Sequence, residues 1–311
     1  ESGALVADNL SDMVPSTNPF LKELLGDFLS AGGRARHKVK RVDFDELGIN
    51  EVVTTLRDVP MDAVLRSFNA SKPGDDPVIH FYEPFLAAYD KQLKNKRGVF
   101  FTPRPIVSCI VRGVHDLLKR EFGLEDGIAS TDTWGEVSRR IAGLKVPEGA
   151  KASDPFVCIL DPATGTGTFL FECIEVIERV MKDRWCGELK KKDWNDPEVL
   201  ARWKEYVPRH LLPRLHGYEI MMASFAISQL KLSLKLAQTG APLREGQELS
   251  VFLTNSLETS SAAADPKLAD LFASLSRQAQ QVTRLKRHQR YTVVVGNPPY
   301  SKSSQNQGRW I

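Results

Sequence analysis

From residue 156 onward, short β-branched runs alternate with amphipathic stretches. Strand-length apolar runs lie at 156–160, within 211–218, at 249–254 and at 291–295. Asp161, Asn255 and Gly296 directly follow the first, third and last of these runs, and Gly217-Tyr218-Glu219-Ile220 ends the second. Helical spacing fills the intervals at 169–184, from 197, and at 221–236, and residues 260–289 are polar and helix-prone. Strands alternating with helices predict an α/β fold built on a parallel sheet. The run at 291–295, YTVVV, is apolar on both faces, which predicts a strand covered on both sides.

Upstream of residue 156 the pattern is helical. Patches at 20–29, 51–57 and 60–68 are separated by turn chemistry, and Pro73-Gly74-Asp75-Asp76-Pro77 is a strong breaker. A helical pattern resumes over 78–95, with Phe81, Phe85, Leu86 and Tyr89 on one side, and its end overlaps a basic run, KQLKNKR. From Ile106 another helix is expected, with Ile110, Val114, Leu117 and Leu118 as its apolar stripe. Thr102 reads as its cap and Pro103 as a first-turn residue. Residues 130–143 predict one more helix, and 145–155 a linker. The chain thus divides into a helical region 1–77, a helical segment 78–150, and a sheet-containing core 151–311.

Composition narrows the classes. The chain has 311 residues with a hydrophobic share of 42%, enough for a substantial core, and a formal net charge of +3 that neither demands nor excludes nucleic acid. Cys109, Cys158, Cys173 and Cys186 form no CxxC pair, so buried free thiols are expected rather than metal ligands. No apolar run approaches membrane length, so no membrane partner and a cytoplasmic location are expected.

The candidate chemistry lies in the turns. The first strand leads into Asp161-Pro-Ala-Thr164-Gly165-Thr-Gly167-Thr168 and then a helix. Glycines there let a ligand approach the backbone, and a helix start offers free N–H groups. The turn lacks both the third glycine of GxGxxG and the GK[ST] of a P-loop. Glu219 stands at the tip of the second strand, where a carboxylate can accept from two ribose hydroxyls; it equally suits a helix N-terminus. After the last strand, Gly296 leads into Asn297-Pro298-Pro299-Tyr300. Two prolines cannot continue a ladder, so a stiff tip carries an amide and an aromatic ring. The Asn oxygen and a Pro carbonyl can accept both hydrogens of an exocyclic amine, and the Tyr ring can stack on a base taken out of a duplex. Arg277, Arg284, Lys286, Arg287 and Arg290 precede that strand, as a solvated face or as phosphate contacts. Trp185, Trp194 and Trp203 lie in a polar insertion and read as half-buried packing residues.

Four of these stretches, GVFFTPRPIV, DPATGTGTFL, GYEI and NPPY, resemble in order the motifs of adenine-N6 DNA methyltransferases. Together with HFYEPFLAAYD they are most similar to the methyltransferase region of type ISP restriction–modification enzymes. The resemblance covers roughly 78–300. It implies a Rossmann-like S-adenosylmethionine-dependent methyltransferase sheet, here incomplete at the C-terminus, behind an N-terminal helical region. It implies that Thr102 and Pro103 hold the methionine carboxylate and Asp161 its ammonium, and that Thr164, Gly165 and Gly167 floor the pocket. Glu219 would take the ribose, Ile220 the adenine face, and Asn255 the adenine amino group, where the family often has Asp. Asn297, Pro298, Pro299 and Tyr300 would act on the target amine. The implied partners are double-stranded DNA with a flipped adenine and other domains of a longer chain, among them helicase, nuclease and target recognition. NPPY-like turns also serve methyltransferases of release-factor glutamine and of ribosomal RNA guanine. A non-catalytic module that binds cofactor and DNA and couples other domains is the further alternative.

Overall fold

The structure, a computed structural model, describes residues 102–191, 193–258 and 273–298. The expected elements at 20–29, 51–57, 60–68 and 78–95, together with Pro299 and Tyr300, lie outside them.

Helix α1 (Arg104–Phe122) has Pro103 at its cap position and no side-chain cap; a proline occupies the first turn. The cap expected of Thr102 is therefore not made. The helix ends at Gly123 in the left-handed conformation (φ 62°), whose N–H bonds Lys119 O. Left-handed backbone at this place favours glycine. The stripe that packs is Val107, Val111 and Leu118, with Val114 partly buried, whereas Ile110 and Leu117 are exposed. Both stripes obey helical spacing; the packing against α3 selects between them. Cys109 is exposed on this helix, against the expectation of a buried thiol; Cys158 and Cys173 are buried.

The helix expected over 130–143 is shorter, α2 (Trp134–Arg140). Thr133 and Glu136 form a reciprocal capping box at its start. Trp134 and Phe156 meet edge to face, 4.7 Å between centroids, which joins α2 to the entry of the sheet.

The sheet is parallel throughout. Strands β1 (Ile159–Asp161), β2 (Leu215–Glu219), β3 (Ser250–Leu253) and β4 (Val293–Val294) stand in the order β3-β2-β1-β4. All four carboxyl ends therefore open on one edge. β1 begins later than its apolar run, yet the backbone of the run is still used: Cys158 O accepts from the N–H groups of Thr292 and Val293. In β4, Val293 is buried but Val294 is 61% exposed, so the strand is covered on one face only.

Helices α3 (Thr168–Leu189), α4 (Pro197–Tyr206), α5 (Met222–Gln238) and α6 (Ala273–His288) complete the described fold. α3 outruns its expected end by five residues. Asp196 caps α4, accepting from Glu198 N at 3.0 Å, and Pro197 fits its first turn, where no intrahelical N–H is needed. Trp203 is fully buried and donates to Thr239 Oγ1 at 2.8 Å, and Trp185 is also buried, so both are core; Trp194 is exposed and donates to Asp183. A single apolar cluster links α1, α2 and the sheet. Among the described residues no helix is long and apolar enough to cross a membrane, and no group of His, Cys, Asp and Glu could hold a metal.

Candidate active site

The turn after β1 is built by its own sequence. Asp161 Oδ1 accepts from Ala163 N at 3.1 Å, and Thr164 Oγ1 donates to Asp161 O at 3.0 Å. Gly165 (φ 56°) and Gly167 (φ 83°) hold left-handed conformations that side chains resist. A Cβ on Gly167 would stand 3.2 Å from Ser228 Cβ of α5, so the glycine also permits close helix contact. Thr164 N donates to Tyr218 O at 2.9 Å, which ties the turn to β2.

Glu219 closes the turn from the β2 side. Its Oε2 accepts from Gly165 N and its Oε1 from Met221 N, each at 2.7 Å. The acid therefore bridges the glycine loop and the start of α5, which places it at the helix start as the second of its sequence readings expects. Burial raises its carboxyl, against the pull of the bonds from Met221 and Gly165. Ile220, next along, is 63% exposed at the strand tip.

Asp161 is fully buried and its Oδ2 has no hydrogen-bond partner among the described residues. Burial pushes its carboxyl up to about 7, and the nearby Glu219 carboxylate pushes the same way. A buried carboxylate without a cation is costly. This turn therefore has an acceptor that a positively charged ligand group would satisfy.

β4 delivers the third component. Val295 N donates to Leu160 O at 2.9 Å, which carries the chain beside β1 as far as Gly296. A Cβ on Gly296 would stand 2.7 Å from Asp161 Oδ1. Gly296 thus lets the tip that bears Asn297 and Pro298 pass directly against Asp161. Asn297 is partly exposed and Pro298 is exposed.

The loop after β3 forms the opposite wall. Asn255 Oδ1 accepts from Leu257 N at 3.1 Å and its Nδ2 donates to Glu258 Oε1 at 3.0 Å, so the amide organises its own turn. Ser256 Oγ donates to Pro162 O, joining this turn to the one after β1. Thr102 and Pro103 stand at the start of α1, and Arg104 fixes that end by pairing with Glu175 on α3; Glu172 lies 3.7 Å away. The start of α1 is thus held beside the early turns of the helix that leaves the glycine loop.

Three residues escaped the sequence reading. Gly296 was only a strand terminator, although its lack of a side chain admits Asp161. Ser256 carried no signal. Lys286 was grouped with the surface cations, yet its Nζ donates to Thr254 Oγ1 at 2.7 Å, Asn255 O at 2.6 Å and Glu258 O at 3.0 Å. The signal was available: Lys286 follows Val282 by four residues and so shares the packed face of α6. Arg284, Arg287 and Arg290 are exposed, and Arg290 donates to Glu148 O at 3.0 Å.

Comparison with known proteins finds no matching family model and no matching curated protein. Among solved structures the chain is similar to the cryo-EM structure of a DrdV–DNA complex, with 22% identity, a TM-score of 0.46, and coverage of 74% of this chain and 17% of that one. It is also similar to a nuclease-deletion mutant of the type ISP restriction–modification enzyme LlaGI in complex with a DNA substrate mimic, with 20% identity, a TM-score of 0.49, and coverage of 96% and 21%. A third is the ATP-dependent type ISP enzyme LlaBIII bound to DNA, with 20% identity, a TM-score of 0.43, and coverage of 91% and 17%. The chain therefore spans about a fifth of the length of the structures it is similar to.

Proposed function

We propose that this chain is the methyltransferase part of a restriction–modification enzyme, transferring a methyl group from S-adenosylmethionine to adenine N6 in double-stranded DNA. The reading rests on the four sequence motifs and on one observation. A buried, unpartnered Asp161 carboxylate oxygen lies in a glycine turn that Glu219 braces and that Gly296 brings against the Asn297–Pro298 tip.

The residues fit the cofactor. Asp161 has a carboxylate in need of a cation, which suits the ammonium of the methionine part. Thr102 and Pro103 would take its carboxylate at the start of α1. Gly165 and Gly167, with Thr164, leave the backbone open to approach. Glu219 can accept from ribose hydroxyls with lone pairs beyond those its backbone bonds use. Exposed Ile220 would cover one adenine face, and Asn255 the amino group. When bound, S-adenosylmethionine supplies an electrophilic methyl on its sulfonium.

The remaining chemistry belongs to the chain. The Asn297 side-chain oxygen and the Pro298 carbonyl accept the two N6 hydrogens, which draws the nitrogen toward tetrahedral geometry and frees its lone pair. Pro299 stiffens the tip and Tyr300 stacks on the flipped base. Catalysis is then positioning and exclusion of water. No covalent enzyme intermediate is needed, so no catalytic cysteine is expected; burial raises the Cys158 and Cys173 thiols. Exposed Arg284 and Arg287 suit phosphate contacts. Helicase, nuclease and target-recognition domains of a longer chain would complete the system.

The test is calorimetric titration of the 311-residue chain with S-adenosylmethionine and, separately, with NAD. Labelled-methyl assays on plasmid DNA, a release factor and ribosomal RNA would follow. Binding of the first ligand alone, with label entering DNA as N6-methyladenine, is the expected result. Preference for NAD would reject the methyltransferase reading. Label entering only protein or RNA would reject the acceptor.

A further inference from the structure

Lys286 is engaged as a clamp. Its stem leaves the packed face of α6, and its ammonium lies 5.5 Å from the Tyr218 ring centroid. Its three acceptors among the described residues, Thr254 Oγ1, Asn255 O and Glu258 O, belong to the single turn that follows β3. An ammonium has three donors, and this geometry uses all three. The turn so closed is the one that aims the Asn255 amide, and Ser256 fastens it to Pro162 in the glycine turn. α6 is itself seated on the sheet through Val282 and Leu285 against Tyr218 and Phe252. It then hands the chain to β4 within four residues.

We propose that Lys286 is a positioning residue that sets the nucleoside specificity of the cofactor pocket, by holding the turn 254–258 so that Asn255 reads an adenine 6-amino group. The inference rests on the methyltransferase reading and deepens it. A 6-amino group donates where a 6-oxo group accepts, so the same Asn255 oxygen favours an adenosyl ligand and opposes an inosyl one. Without the clamp, the turn loses its three bonds to α6, while its internal bonds, the Ser256 contact and the bond from Thr254 N to Glu219 O stay. Its oxygen then no longer stands where the amino group needs it, although the glycine turn and Glu219 remain intact.

The experiment compares S-adenosylhomocysteine with S-inosylhomocysteine on the 311-residue chain, by calorimetry, for the unaltered protein, Lys286→Met and Lys286→Arg, with thermal unfolding of each. The unaltered protein should prefer the adenosyl ligand by about tenfold, the worth of one good hydrogen bond. Lys286→Met should collapse that preference to within about twofold, chiefly by weakening the adenosyl ligand. Lys286→Arg keeps a multivalent cation and should retain part of the preference. A structural role alone would lower the melting temperature and weaken both ligands equally, leaving the ratio unchanged; that result overturns the inference. Equal affinity of the unaltered protein for both ligands would overturn it too, while leaving the cofactor assignment standing. Binding of neither ligand by the folded, unaltered protein would reject the methyltransferase reading, and the inference with it.

Discussion

Replacing Asp161 with Asn isolates the energetic cost of the candidate site. In the folded chain the Asp161 carboxyl is raised from 3.8 to about 7, first by burial and then by Glu219. A raised carboxyl means that the folded state holds its proton over a window where the unfolded chain has lost it. Stability therefore falls as pH rises from about 4 to about 7, and levels off above. At about 1.4 kcal/mol for each tenfold change in proton affinity, the full cost is about 4 kcal/mol, of which about 2–3 kcal/mol accrues between pH 5 and pH 8. Glu219, raised by burial, shares this sign, whereas three histidines titrate with the opposite one. His115, His210 and His216 are lowered by burial, His216 to about 4, and each makes the protein more stable as pH rises toward 6.5. They are common to both proteins and cancel in the difference. The Asn variant keeps the acceptor for Ala163 N and adds an amide whose desolvation cost does not vary with pH. The assay is urea unfolding of both proteins at pH 5, 6, 7 and 8. The variant should gain about 2–3 kcal/mol relative to the unaltered chain over that span, while losing affinity for S-adenosylmethionine. A constant difference across the span would refute the view that Asp161 is a buried acid lacking its cation.

Further predictions follow from single contacts. On the proposed function, Asn297→Ala should abolish methyl transfer to DNA while leaving S-adenosylmethionine affinity within about twofold; calorimetry and a labelled-methyl assay separate the two. Gly296→Ala would set a Cβ 2.7 Å from Asp161 Oδ1 and should cost about 1–3 kcal/mol of stability, together with cofactor affinity, measured by urea unfolding and titration. Thr133→Ala removes the capping box of α2 and should cost about 1 kcal/mol with ligand binding untouched. Trp203→Ala empties a fully buried site and strands Thr239 Oγ1 without its indole donor, and should cost about 3–5 kcal/mol by thermal or urea unfolding.

Strand–turn–helix alternation, the glycine turn at 161–168 and the proline-bounded end of β4 were all legible in the chain, because each is a local property. Periodicity names a helix, glycine permits a left-handed turn, and proline cannot continue a ladder. Glu219 was likewise legible as the acid at the end of the second strand. Locality also marks where the sequence ran out. It named Ile110 and Leu117 for the packed stripe of α1, where the structure buries Val107 and Val111, since both sets obey helical spacing and only the packing of α3 distinguishes them. Its spacing from Val282 puts Lys286 on the packed face of α6, but the sequence could not say what it holds, because its acceptors lie about thirty residues away on another loop. Above all, the parallel order β3-β2-β1-β4 is a matter of pairing between distant segments. That order sets β4 beside β1, brings Gly296 against Asp161, and leaves a buried carboxylate whose raised proton affinity no stretch of sequence records. The residues of the site were written in the chain; their mutual electrostatics arose only when the sheet brought them together.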